Sequence, residues 1–402
     1  MIDFPYMSNL RRKTDSKIVM VVVDGLGGMS DPDYGQSELQ YAATPNLDKL
    51  AAESSCGLTT PVLPGITPGS GPGHMALFGY NPVKYLLGRG ILEGMGIGAD
   101  IGYGDVAARG NFCQLDQAGN IVDRRAGRIS TDESLRLIEE LNLIELNDVS
   151  FEVYSVMDYR FVLVLKGGGI SPDITDTDPQ IEGVPISVSQ GTSTLSQRTS
   201  AAVNEFTEKA VAQLSKISNQ ANGILLRGFS VLPDIPNFST TYGLKAAAIA
   251  GYPMYRGLAG MVGMTVLECG QDFSDELEVL EKNFNSEYDY FFIHYKPADS
   301  AGEDGDFESK VRQLEAFDSY IPNIRALEPD VIVVCGDHST PSLLSGHSWH
   351  PVPFLINSRH SVPGNRSFDE ESCKYGSIGS IQAEHLMLST LANAGKLHKY
   401  GA

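Results

Sequence analysis

Near the carboxyl end, Val331-Ile332-Val333-Val334-Cys335-Gly336-Asp337-His338-Ser339-Thr340-Pro341 drives an apolar, β-branched strand straight into an Asp-His pair, with His347 and His350 close behind. Carboxylate oxygen and neutral imidazole hold a divalent ion while leaving a position for water or a phosphate oxygen, and a strand end fixes their direction. Residues 17–25 repeat the design: the apolar run from Ile18 stops at Asp24-Gly25. A third run, Tyr290-Phe291-Phe292-Ile293-His294-Tyr295, leads through Lys296-Pro297-Ala298 to Asp299, with Glu303 after it. A single carboxylate behind a strand is ordinarily a helix cap or turn former. Three of them, one followed directly by histidine, point to one crevice, because ligands in open α/β sheets bind beyond the carboxyl ends of the strands.

Thr67-Pro68-Gly69-Ser70-Gly71-Pro72-Gly73-His74 reads as a loop that keeps bulk away from one serine, so that a phosphate can approach its backbone and hydroxyl. A serine hydroxyl is a weak nucleophile at neutral pH, and metal coordination is one way to activate it. The metal cluster and the unhindered serine therefore explain each other.

Asp24, the Ser70 loop, the Asp299-x-x-x-Glu303 segment, Asp337-His338 and His347 stand in the order of the alkaline phosphatase superfamily. Within it the chain resembles the archaeal-type cofactor-independent phosphoglycerate mutases over nearly its whole length. The resemblance includes Thr44-Pro45-Asn46-Leu47-Asp48, Gly65 through His74, Asp123-Arg124-Arg125-Ala126-Gly127-Arg128 and Ala248-Ile249-Ala250-Gly251-Tyr252-Pro253. It implies an isomerase of glycolysis and gluconeogenesis that interconverts 3-phosphoglycerate and 2-phosphoglycerate through a phosphoserine at Ser70, without 2,3-bisphosphoglycerate. It implies two divalent ions, one held by Asp24, Ser70, Asp337 and His338, the other by Asp299, Glu303 and His347. Family members often carry histidine where this chain has Glu303. The harder carboxylate favours Mn, with Mg, Co or Zn as alternatives. His350 reads as a loop or supporting histidine. A phosphatase or homoserine-kinase-like relative on the same scaffold is the alternative activity, and a catalytically silent ligand-binding protein a third reading, which intact Ser70 opposes.

Arginine pairs bidentately with phosphate and carboxylate, so arginines in a chain of net charge -20 stand out as substrate holders. By the resemblance Arg109, Arg125, Arg128 and Arg160 bind substrate, joined by Arg256. The acidic balance argues against a nucleic-acid surface.

The elements that must position these residues give an α/β fold: an alkaline-phosphatase-like parallel sheet sandwiched by helices, with an inserted smaller α/β (α+β) substrate domain. The metal-binding domain is expected over 1–104 and 243–402 and the insert over 105–242. Residues 151–156 and 160–165 read as a hairpin, and 131–146, 196–219, 275–285, 307–327 and 380–394 as helices. Residues 167–178, with Asp173, Asp176 and Asp178, read as a long loop without calcium-loop spacing. A length of 402 residues suits two domains. The run 18–23 is too short to span a membrane, and five dispersed cysteines suit a reducing compartment, so the expectation is a cytoplasmic enzyme acting on a small molecule. Residues 1–16 read as a surface extension, with Phe4-Pro5-Tyr6 packing locally.

Overall fold

The computed structural model describes residues 6–401. In chain order its strands are β1 (Ile18–Val23), β2 (Ser55–Thr60), β3 (Val106–Leu115), β4 (Ile121–Asp123), β5 (Ser150–Met157), β6 (Arg160–Lys166), β7 (Gly223–Ser230), β8 (Ala246–Ile249), β9 (Thr265–Leu267), β10 (Tyr290–Tyr295), β11 (Val331–Cys335), β12 (Val352–Ser358) and β13 (Gly379–Gln382). They belong to two units, one built from residues up to 86 and from 235 onward, the other from 87–234.

The first unit holds an eight-stranded sheet in the order β13-β2-β12-β11-β1-β10-β8-β9. Pairing is parallel from β11 through β9 and between β13 and β2. β12 departs from the expected parallel sheet and runs antiparallel to both neighbours. It returns from β11 through a connection whose one helical piece is a short 3-10 turn, and without a crossover helix a chain can only come back antiparallel. Every residue of β1, β10 and β11 is buried, as an uninterrupted apolar run requires. Val19, Val21 and Val23 share one face with Phe291, Ile293, Ile332 and Val334, under Phe273, Leu280, Leu314 and Phe317 of the covering helices. On the other face Tyr290 packs on Phe238 and Phe292 on Phe78. Each such side chain contributes roughly 1.5–3 kcal/mol by leaving water, which fixes the register: Val23 beside Tyr295, Val22 beside Cys335. Asp24, Lys296 and Asp337 therefore leave the sheet at one edge.

The second unit is an antiparallel sheet, β4-β3-β6-β5 with β7 against β3. Helices Thr131–Leu141 and Thr194–Leu214 supply Leu137, Ile138, Val203 and Phe206 to one face. Helix Arg89–Gly96 covers the other, where Ile91 meets Ala107, Val162 and Val164. That helix shifts the unit boundary from the expected 104/105 to 86/87, because Gly90 lies against the backbone of β3: a Cβ there would stand 2.2 Å from Ala107 O. At the other end Phe238 packs with both Tyr290 and Tyr242, which places 235–242 in the first unit and moves the boundary from 242/243 to 234/235.

Several helix bounds differ from expectation for local reasons. Thr131–Leu141 stops early because Asn142 exchanges hydrogen bonds with the backbone of Val153. Reciprocal capping at Ser193-Ser196 and Asp272-Asp275 starts Thr194–Leu214 and Phe273–Phe284 early. The 307–327 helix is two, Phe307–Asp318 and Ile321–Ala326, since Pro322 cannot continue the first and suits the opening turn of the second. Residues 380–394 begin as strand, because Gly379–Gln382 pairs with β2 before helix Leu386–Asn393 starts. The hairpin forms as β5 and β6. In the long loop, Asp176 accepts Gly228 N–H at 2.9 Å and Asp178 pairs with Arg124 at 2.7 Å, each carboxylate serving the unit's own structure. Phe4 and Pro5 lie outside the described residues. Met7 is buried, and Arg12 N–H donates to Lys396 O at 2.6 Å, so the segment after them is pinned and not a loose extension. Among the described residues no helix is long and apolar enough to cross a membrane.

Candidate metal centre

Three strand ends build the site. β1 delivers Asp24, β11 delivers Asp337 and His338, and after β10 the helix Pro297–Glu303 turns Asp299 inward. Asp24, Asp299, Asp337 and His338 are wholly buried. The loop expected around Ser70 is in fact the start of helix Ser70–Leu77. Pro72 fits its first turn, where no N–H is needed, and Gly73 N–H closes the turn on Gly69 O at 3.0 Å. Gly73 also sets the approach of this helix to the β11 end, since a Cβ there would lie 2.4 Å from Asp337 O.

Ser70 Oγ lies 3.2 Å from His338 Nε2. The same nitrogen is 3.2 Å from Asp24 Oδ1 and 3.2 Å from Asp337 Oδ2. Thr340 fixes its orientation: the hydroxyl donates to Asp299 Oδ1 at 2.7 Å, so the 2.9 Å contact to His338 Nδ1 must have the imidazole as donor. Nε2 is thereby aimed at Asp24, Asp337 and Ser70. His347 is oriented likewise, its Nδ1–H donating to Pro68 O at 2.9 Å while Nε2 stands 3.6 Å from Asp299 Oδ1 and 3.4 Å from Glu303 Oε1. A support contact of this kind on the far ring nitrogen is the usual companion of a metal-ligating histidine.

Two groups of side chains have ligand atoms close enough to share an ion: Asp24, Asp337 and His338, and Asp299, His338 and His347. Glu303 touches the second through His347 and is about half exposed, which makes it the outermost of the expected ligands. Asp24 Oδ1 and Asp337 Oδ2 are buried without an aligned hydrogen bond, although anions in such surroundings demand compensation. The electrostatics agree. Burial opposes charge on His338, yet Asp337, Asp24 and Asp299 outweigh it and push the imidazole up to about 9. Burial also works against the Asp24 carboxylate, but His294, His338 and Lys296 hold it well below the usual range. This cluster of acids draws positive charge, and mixed carboxylate and imidazole donors suit a divalent ion.

Other residues at the site carried weak signals in the sequence. Lys296 Nζ sits 3.2 Å from Asp24 Oδ2 and contacts Asp299 Oδ2, so one ammonium spans both groups. Tyr255 donates to Asp24 Oδ2 and stacks on His294 at 3.6 Å. His74 Nδ1 lies 3.1 Å from Asp337 Oδ2 and 2.9 Å from the Ser70 carbonyl. A histidine inside an otherwise apolar strand was the one available hint for His294, and Tyr255 had none. His350 turns away to Ser348 Oγ at 2.9 Å.

The expected arginines are scattered. Arg109 is nearly buried and pairs with Glu93 Oε1 at 3.0 Å, in the combined field of Arg89, Arg160 and Arg227. Arg89 and Arg227 were not expected there; antiparallel pairing of β3 with β7 sets Arg227 beside Arg109. Arg125 and Arg128 are exposed on the turn after β4. Arg256, in the first unit, is paired with Glu268 Oε1 at 2.6 Å.

A family model described as 2,3-bisphosphoglycerate-independent phosphoglycerate mutase matches residues 51–219. The chain is 49% identical over 401 residues to a Thermotoga maritima protein named a probable 2,3-bisphosphoglycerate-independent phosphoglycerate mutase, covering 99% of this chain and 98% of that one. Its fold is similar to the solved structure of the PH0037 protein from Pyrococcus horikoshii, with TM-score 0.83, 26% identity and coverage of 98% and 100%. It is also similar to a cofactor-independent phosphoglycerate mutase from Thermoplasma acidophilum, with TM-score 0.74, 28% identity and coverage of 94% and 100%.

Proposed function

The chain belongs to the 2,3-bisphosphoglycerate-independent phosphoglycerate mutase family and is a phosphoglycerate mutase, an isomerase; from that premise we propose that Ser70 carries the phosphoryl group between the two hydroxyl positions of a bound glycerate, at a centre holding two divalent ions. The observation that carries this reading is Ser70 Oγ at 3.2 Å from the His338 nitrogen that also faces Asp24 and Asp337. Asp24, Ser70, Asp337 and His338 would hold one ion, and Asp299, Glu303 and His347 the other, with Mn favoured by the excess of carboxylate. Divalent ions bound there would lower the pKa of the serine and neutralise phosphate oxygens.

The protein's own groups do the positioning. Ser70 stands in the first turn of its helix, where the backbone N–H groups favour an anion. Its oxygen gives up its proton and attacks phosphorus as the bond to the C3 oxygen breaks and that oxygen takes up a proton; the freed glycerate turns, and its C2 hydroxyl gives up a proton and takes the phosphoryl group as the bond to Ser70 Oγ breaks. Lys296, whose Nζ stands 3.2 Å from Asp24 Oδ2, would bind the phosphate, and Arg109, Arg125, Arg128, Arg160 and Arg256 would bind the anionic groups of the substrate. All five cysteines are free, which supports a cytoplasmic location.

The test is a coupled assay with 3-phosphoglycerate and enolase. Chelation should abolish activity, Mn or Co should restore it better than Ca, and phosphopeptide mapping should find the phosphoryl group on Ser70. Near-normal turnover by Ser70→Ala would sink the covalent route.

A further inference from the structure

Lys310 lies on helix Phe307–Asp318 with its side chain wholly buried, and nothing in the transfer reaction uses it. An ammonium taken out of water is costly unless its donors are met. Nζ donates to the carbonyl of Gly27 at 2.9 Å and to that of Thr340 at 2.8 Å. Glu38 Oε2 is 3.8 Å away, an ionic contact too long for a hydrogen bond. Glu38 Oε1 in turn accepts the Ser342 N–H and hydroxyl, both at 2.6 Å.

The two carbonyls belong to different strand-end loops. Gly27 lies three residues beyond Asp24. Thr340 lies two beyond His338, and its hydroxyl is the group that joins His338 Nδ1 to Asp299 Oδ1. Gly27 O also accepts Thr340 N–H at 3.0 Å, so its two lone pairs bind the second loop once directly and once through the ammonium. An apolar side chain would fill the same volume, but it could not draw two carbonyl oxygens to one point. We propose that Lys310 is a positioning residue for the metal centre: its ammonium sets the spacing between the Asp24 loop and the Asp337-His338-Thr340 loop, and with it the affinity for a divalent ion. This rests on the two-ion reading above.

The parent protein is first titrated with Mn by calorimetry; if it binds none, the metal reading fails and takes this proposal with it. Where it binds, Lys310→Met should weaken Mn by about ten- to hundredfold, the range for lost support behind a metal ligand. The visible absorption of the Co-loaded protein should change, while thermal melting stays cooperative. Because that variant leaves Glu38 buried and unpaired, Lys310→Met/Glu38→Gln removes the pair together and should show the same weakening. Mn affinity within about twofold of the parent, with an unchanged Co spectrum, in either folded variant overturns the proposal. So does a double variant that cannot fold, since the ammonium would then serve the fold itself.

Discussion

The proposed ligands of the centre are held unequally by their neighbours. His338 and His347 each have the far ring nitrogen tied down, whereas Glu303 is half exposed and reached only through His347. Glu303→His should therefore retain metal binding and move the preference from Mn towards Zn by about tenfold, near 1.4 kcal/mol, as a softer ligand replaces a carboxylate. Competitive metal titration reads the ratio; no shift would remove Glu303 from the ligand set. Glu276 illustrates a different residue effect. Burial pushes its carboxyl from 4.5 up to about 8, against the pull of the His294 and Gly251 N–H groups it accepts. A folded pKa above the unfolded one gives stability that is full below pH 4.5 and declines until pH passes about 8. Urea midpoints should therefore fall across that window, by at most about 1.4 kcal/mol per pH unit from this group. Glu276→Gln should flatten the decline while losing one N–H acceptance at every pH, and a decline of unchanged slope would clear Glu276 of responsibility.

Among the elements, the helix beginning at Ser70 is the one on whose placement the proposed transfer depends. Its approach to the β11 end is limited by Gly73, where a Cβ would meet Asp337 O at 2.4 Å and Asp337 Cβ at 3.0 Å. Backbone cannot yield as a flexible side chain would, so Gly73→Ala should push the helix away and separate Ser70 Oγ from His338. A displacement near 1 Å costs on the order of 100-fold in rate. The expected result is a folded protein that still binds Mn through Asp24, Asp337 and His338 yet forms phosphoserine about 100-fold more slowly, read by rapid quench. Parent-like phosphorylation would mean that the contact relaxes elsewhere. Gly25 has a parallel role at the β1 end: its φ of +66° turns the chain after Asp24, and a Cβ would stand 2.8 Å from the Asp299 backbone.

On the scale of the whole molecule, the proposed metal ligands lie in one unit and Arg109 and Arg160 in the other. A mutase must keep its dephosphorylated glycerate, and loss of a charge-assisted contact to it costs about 1.5–3 kcal/mol. Arg109→Ala and Arg160→Ala should lower turnover about tenfold to 100-fold, leave Mn affinity at the parent value, and raise the ratio of inorganic phosphate released to 2-phosphoglycerate formed. An unchanged ratio with both activities reduced would assign these arginines to the unit's own structure, where Arg109 already pairs with Glu93.

The apolar runs ending in Asp24 and in Asp337-His338 were legible from residue order because a strand buried on both faces needs continuous β-branched and aromatic side chains, and its end is where a polar group can emerge. Ser70 was legible for the same kind of local reason, small neighbours on both sides, although its helix was not: two glycines and a proline read as a loop until packing against β11 holds them in a turn. Thr340, Tyr255, His294 and Lys310 were out of reach, since each has a partner between 41 and 283 residues away, Asp299 for Thr340 and Gly27 for Lys310, and only the tertiary fold brings those partners together. The same holds for Arg89 and Arg227, which join Arg109 through strand pairing. Residue order determines which side chains can do chemistry. Burial and register, which depend on every strand at once, decide which of them share a proton, a cation or a substrate.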